Sequence, residues 1–123
     1  MRCKNFLRDR RGSSAIEFAV VGPVFLMLVI GSMYGCMMLF SMASLHYAVE
    51  EGARCASIKA TVCTTSDAII AYTKTAYNGI GVVPTFTSTT PACGHAVTGT
   101  TSFAFRMGVA SWNVPLSATA CYP

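Results

Sequence analysis

The sequence predicts an α+β protein: a long N-terminal helix that includes a membrane span, followed by a small outer domain. That domain is expected to hold a second helix and a three- to four-stranded antiparallel sheet, a pilin-like arrangement. Three observations carry this. Phe18 to Phe40 contains no charged side chain, and a helix of about 23 residues rises roughly 35 Å, enough to cross a hydrocarbon core of about 30 Å. Beyond it the pattern changes from helical periodicity to alternation rich in Thr, Val and Phe. Finally, only 11% of the 123 residues are charged while 53% are hydrophobic, about half the charge of an ordinary soluble domain. The apolar excess lies near the N-terminus, so it belongs to a span and not to a greasy core.

The formal net charge of +4 belongs to the first few residues. Arg2, Lys4, Arg8, Arg10 and Arg11 stand there against Asp9, whereas Arg54, Lys59, Lys74 and Arg106 balance Glu17, Glu50, Glu51 and Asp67 further on. A nucleic-acid binder needs a basic face on its folded part, and this one has none, so no nucleic-acid partner is expected. The same asymmetry sets topology: residues 1–12 cytoplasmic, the span in the lipid bilayer, and everything after it outside. A cleaved secretory signal would have a shorter apolar region and a small-residue cleavage site. Here the run continues into "SMASLHYAVEEGARCAS" with no turn signal, so the span is expected to remain.

Three segments follow: a leader at 1–12, an N-terminal helix at 13–58 with its span at about 18–40, and a small α+β domain at 59–123. Past the span, Ala48, Val49, Ala53 and Ala56 keep one apolar side, and Glu50 and Arg54 are spaced as a helix-supporting pair. Ser44, Ala48, Gly52 and Ala56 form a row of small residues. Gly31 and Gly35 share a face and suit close helix approach. Pro23 removes one backbone hydrogen bond and should kink or loosen the early helix. Tyr34, Met37, Met38 and Met42 read as apolar fillers, and His46 as an interfacial polar residue.

In the outer domain, Ser66 or Thr65 caps the second helix, Asp67 suits its first turn and Asn78-Gly79 stops it. Ala68, Ile69, Tyr72 and Ala76 are expected on its buried side. "GVVPTFTSTT" reads as an edge strand because of Pro84. In "TSFAFRM", Phe103, Phe105 and Met107 face one way; in "ASWNVPL", Ala110, Trp112, Val114 and Leu116 share a face. Gly108 marks either a tight turn or a bulge, and the sequence leaves both open. The threonine density fits exposed strand and loop.

No catalytic constellation emerges, and neither enzyme activity nor a cofactor or metal is expected. "CGH" at 93–95 is a lone Cys-x-His, no Cys-x-x-Cys occurs, and no glycine-rich phosphate loop follows a strand. Of the six cysteines, Cys3 lies in the leader and Cys36 in the span. Cys55, Cys63, Cys93 and Cys121 remain outside, where disulfides persist. Four cysteines allow three pairings. The favoured one is Cys55–Cys63, tying the long helix to the next segment, with Cys93–Cys121, holding the C-terminal segment beside the loop before the central strand.

Glu17 is the anomaly. A carboxylate inside apolar sequence is costly and marks function or a specific partner, and no lysine or arginine nearby on its helix face neutralises it. A cut after Gly12 would supply one: Ser13 would carry a free amine, about 6 Å from Glu17 along the helix axis. That amine, on this chain or a neighbour, would pair with the carboxylate, and the penalty on an unpaired charge would favour the correct stagger.

"RRGSSAIEFAVVGPVFLMLVIG", followed by "AVEEGAR", closely resembles the TadE-like proteins of the Tad (tight adherence, Flp-type) pilus machinery. The matching features are Gly12 before the cut, Glu17 followed by the aromatic Phe18, Pro23 in the early span, and Gly52-Ala53-Arg54 where the helix leaves the membrane. The resemblance covers about residues 10–56. It implies a minor pilin or pseudopilin in the inner membrane, cut by a prepilin peptidase between Gly12 and Ser13. It implies further partners in other Tad pilins, pseudopilins and the inner-membrane assembly platform, and a part in pilus assembly, adhesion or biofilm formation. Phe18 replaces the tyrosine common in the major Flp pilin, which also lacks a domain of this size. Two other readings predict different behaviour. A membrane-anchored periplasmic binding or adhesin domain outside any pilus would tolerate loss of Glu17 and keep residues 1–12. A membrane enzyme or redox protein using Cys93 and His95 would need reactive thiols or bound metal.

Overall fold

The computed structural model describes residues 13–108 and 110–123, without the side chains of Ser13 and Met107. The leader, including Gly12, lies outside the described residues. The chain divides into two units, Met1–Gly35 and Cys36–Pro123.

Helix α1 runs Ser13–Ile58 and passes through Pro23. Proline has no N–H to give to the carbonyl of Ala19, yet one missing bond does not end the helix. Within the first unit the described part is helix alone, and its apolar side chains point outward on every side: Phe18 is 79% exposed and Leu28 69%. Water would not tolerate such a surface, whereas lipid or neighbouring helices would.

In the second unit α1 has a covered face. Ser41, Leu45, Ala48, Val49, Gly52 and Ala56 are buried, which is the spacing of one helical stripe. Helix α2, Ser66–Ala76, begins where the Thr65 hydroxyl accepts a hydrogen bond from the Ala68 N–H, and Asp67 sits in its first turn. Of the two expected caps, Thr65 is the one used. The helix ends earlier than Asn78-Gly79, because Tyr77 already has extended backbone.

The expected buried side of α2 needs correction. Ile69 and Thr73 are its buried residues, whereas Tyr72 and Ala76 are half-buried. Thr73 can be buried because its hydroxyl donates to the Ile69 carbonyl at 2.8 Å, so no polar group is left unsatisfied. Its small side chain also lets Gly52 of α1 come close, since a Cβ at Gly52 would overlap the Thr73 hydroxyl.

Three antiparallel strands follow in the order β1-β2-β3: β1 Thr85–Thr89, β2 His95–Met107 and β3 Ala110–Tyr122. β1 is an edge strand starting just after Pro84, as the proline required. β2 and β3 are each longer than their most regular stretch suggested. Met107 pairs with Ala110, and Gly108 takes φ +59° between them, so this glycine makes a tight turn and not a bulge.

The inner face of the sheet presents Phe86, Val97, Gly99, Phe103, Leu116 and Ala118, all buried. Gly99 is where α1 comes nearest: a Cβ there would lie 2.8 Å from both Leu45 Cδ1 and Phe86 Cε1. Of the four residues expected to share the β3 face, only Leu116 is buried; Val114 is half-buried, and Ala110 and Trp112 are exposed. The threonines supply the outer face. Thr87, Thr98 and Thr119 stand side by side across all three strands, and the Thr98 and Thr119 hydroxyls are 3.0 Å apart.

Candidate functional site

The start of α1 gathers the residues singled out in the sequence. Ser13 and Glu17 are one helical step of four apart and therefore on the same side. Glu17 is exposed, as is Phe18 beside it. From Ser13 onward α1 carries no lysine or arginine before Arg54, so the helix itself offers Glu17 no basic side chain within reach. A Cβ added at Gly31 or Gly35 would meet no described atom within 4 Å. Gly12, the expected cut site, lies outside the described residues.

Gly52 belongs to a different environment. It is buried where α1 lies against Thr73 of α2; Ala53 is also buried, while Arg54 is exposed. Glu50, Glu51, Ala53 and Arg54 line one side of an open hollow of about 440 Å³, and Thr119, Ala120, Cys121 and Tyr122 line the other. Thus the small-residue row of α1 serves packing inside this chain, at least at Ala48, Gly52 and Ala56. Ser44, the remaining member, accepts a hydrogen bond from the Asn78 N–H at 2.8 Å.

Two disulfides hold the second unit. Cys55 is bonded to Cys63 and Cys93 to Cys121, with Cα separations of 5.9 and 6.3 Å. The first ties the last turn of α1 to the segment leading into α2. The second fixes the loop before β2 to the end of β3, near Pro123, whose carbonyl accepts from the Ser57 hydroxyl. Cys36 is unbonded. With Cys93 bonded, the pairing of a free Cys93 with His95 for metal or redox chemistry is removed. Among the described residues, no group of three or more His, Cys, Asp or Glu side chains is placed to hold a metal ion.

Sequence reasoning missed a polar cluster between α1 and the segment after α2. The Ser41 hydroxyl makes two 3.3 Å hydrogen bonds to the Ile80 backbone, one to its N–H and one to its carbonyl. Beside it the Tyr77 hydroxyl is enclosed without a hydrogen bond of ordinary geometry. Burial pushes the Tyr77 pKa above the usual phenol range, and the neighbouring Ser41 hydroxyl offsets part of that. The signal available in sequence was Ser41 itself, a polar residue one turn before Leu45 on the buried stripe. It could not name Ile80 or Tyr77, which are more than thirty positions away.

Among the described residues one helix is long and apolar enough to cross a membrane, and it leads into a small α+β unit tied by two disulfides. The class this defines is a long apolar helix, capable of spanning a membrane, followed by a small folded α+β unit. A family model described as TadE-like protein matches residues 12–54, the stretch that runs from Gly12 through Glu17 to Gly52-Ala53-Arg54. Over those residues the chain is similar to that family. No curated protein and no solved structure matches it.

Proposed function

We propose that this chain is a TadE-like minor pilin or pseudopilin of the Tad pilus. Prepilin peptidase cuts between Gly12 and Ser13. The new amine at Ser13, on the same chain or a neighbour, neutralises Glu17, and Phe18 and the Gly31–Gly35 face meet the helices of other Tad pilins at the assembly platform. The second unit lies on the non-cytoplasmic side, where it takes part in pilus assembly, adhesion or biofilm formation. The basic leader favours that orientation, and two disulfides suit an oxidising compartment.

The observation that carries the reading is Glu17: an exposed carboxylate at the start of an all-round apolar helix that offers it no cation. In lipid such a charge is held only by a partner, and an amine four residues earlier has the right reach. Glu17→Ala is therefore expected to insert in the membrane normally, because the span becomes more apolar, and to lose piliation. Normal pili with Glu17→Ala would favour an anchored binding domain outside any pilus.

A further inference from the structure

The β2–β3 hairpin outgrows the sheet that supports it. β1 pairs with β2 only up to Thr100, so beyond Thr100 the hairpin is a two-stranded ribbon with no third strand. Such ribbons are marginal in water unless their apolar face is covered. Towards its end this face carries Phe103, Phe105, Trp112 and Val114. Phe105 packs edge-on against Phe103 at 5.1 Å and stacks on Trp112 at 6.3 Å between ring centroids. Phe103 is buried, but Trp112 is 52% exposed.

The direction of the ribbon follows from contacts within the second unit. His95 pairs with Tyr122, next to Pro123, and Pro123 is bonded to Ser57 near the end of α1. Gly99 lies beside Leu45, twelve residues earlier on α1. β2 therefore runs back along α1 towards Phe40, where the charge-free stretch ends. From Gly99 to Met107 the strand rises about 26 Å, whereas Leu45 and Phe40 are only about 7.5 Å apart along the helix. The ribbon is long enough to reach the membrane surface.

Its chemistry fits that place. After Lys74 the chain carries one charged side chain, Arg106, and no carboxylate side chain. Arg106 is exposed on the face opposite Phe105, one position along the strand from the Phe105–Trp112 pair. Tryptophan with a neighbouring cation and no acid is the composition of an interfacial anchor: the indole sits at the level of the ester groups and the guanidinium meets phosphate.

We infer that the end of the β2–β3 hairpin rests in the interface of the bilayer that α1 spans, with Trp112 and Phe105 among the upper acyl chains and Arg106 at the lipid phosphates. The inference rests on the membrane-spanning reading of α1 and does not depend on incorporation in a pilus.

Trp112 is the single tryptophan of the chain, so its emission reports this site alone. The full chain, with disulfides intact, is reconstituted at low protein-to-lipid ratio into vesicles of mixed zwitterionic and anionic phospholipid. Acyl chains are brominated either near the ester or near the methyl end. Co-flotation of protein with vesicles is recorded first. The expected result is blue-shifted emission, with a large loss in vesicles brominated near the ester and a smaller one near the methyl end. A double variant, Trp112→Phe with Thr87→Trp on the exposed threonine face, should instead be quenched by aqueous acrylamide and spared by bromine.

Floated protein whose Trp112 emission ignores bromine overturns the inference while leaving the span intact. That holds even if the emission is blue-shifted, because a protein neighbour then covers the ring. Equal bromine quenching at position 87 also overturns it. Failure to float overturns the membrane reading, and the inference with it.

Discussion

Gly52 of α1 lies so close to Thr73 of α2 that a Cβ at position 52 would overlap the Thr73 hydroxyl. The contact gives a structural reason for a glycine at the exit of the TadE-like segment: the first residues of the folded unit are packed through it. Gly52→Ala is expected to destabilise this unit by about 1–3 kcal/mol through overpacking. Thr73→Ala removes the obstructing atoms, so the double variant should lose less than the sum of the single losses. Urea unfolding of the four proteins measures the coupling, and simple additivity would show that the two residues do not constrain each other.

The two disulfides should differ in weight. Loop-closure entropy gives roughly 2.6 kcal/mol for Cys55–Cys63 and roughly 3.6 kcal/mol for Cys93–Cys121, because the second closes the longer loop. Replacing Cys93 and Cys121 by Ser is expected to lower the thermal midpoint more than replacing Cys55 and Cys63. Peptide mapping of unreduced protein should recover these two linked pairs, and free thiols at all four positions would also count against placement in an oxidising compartment.

Tyr77 makes the fold sensitive to alkali. Its folded-state pKa is raised, mainly by burial. Below the unfolded phenol value of about 10 both states hold the proton, and the fold has its full stability. As pH rises above that value the unfolded state releases the proton first, so stability falls until the folded pKa is passed. Tyr77→Phe should flatten this alkaline loss at little cost at neutral pH, since the hydroxyl has no well-formed hydrogen bond to lose. Thermal midpoints of both proteins between neutral pH and about pH 11 give the comparison. Parallel curves would rule Tyr77 out as the source.

Processing should leave Ser13 as the first residue. In cells with an active prepilin peptidase, the membrane-extracted protein is expected to be lighter than the full 13.1 kDa chain by the mass of residues 1–12. Intact-mass measurement with N-terminal sequencing decides it. Recovery of Met1 in such cells would exclude the cut, and with it the amine proposed to meet Glu17.

Much of this protein is determined locally, and local physics is what a sequence displays. A helix long and apolar enough to cross a membrane follows from the uncharged run Phe18–Phe40, α2 from its Thr65 cap and Asp67, and the edge position of β1 from Pro84. Glu17 stands out because a carboxylate in apolar sequence is costly wherever the chain folds. The cysteine pairing favoured from the order of the elements is the one the structure holds, because each bond joins neighbouring segments. Other features required tertiary structure. Which residues of α2 are buried was one of them: Thr73 meets Gly52 of α1, while Tyr72 stays half-buried beside Lys59. The Ser41–Ile80 and Tyr77 cluster joins residues far apart in sequence, and no periodicity encodes such a meeting. Gly108 could be read as turn or bulge until the pairing of Met107 with Ala110 fixed the register. Trp112, legible only as one apolar position in an alternating strand, is left half exposed on the part of the ribbon beyond the last β1 pair, Thr85 with Thr100.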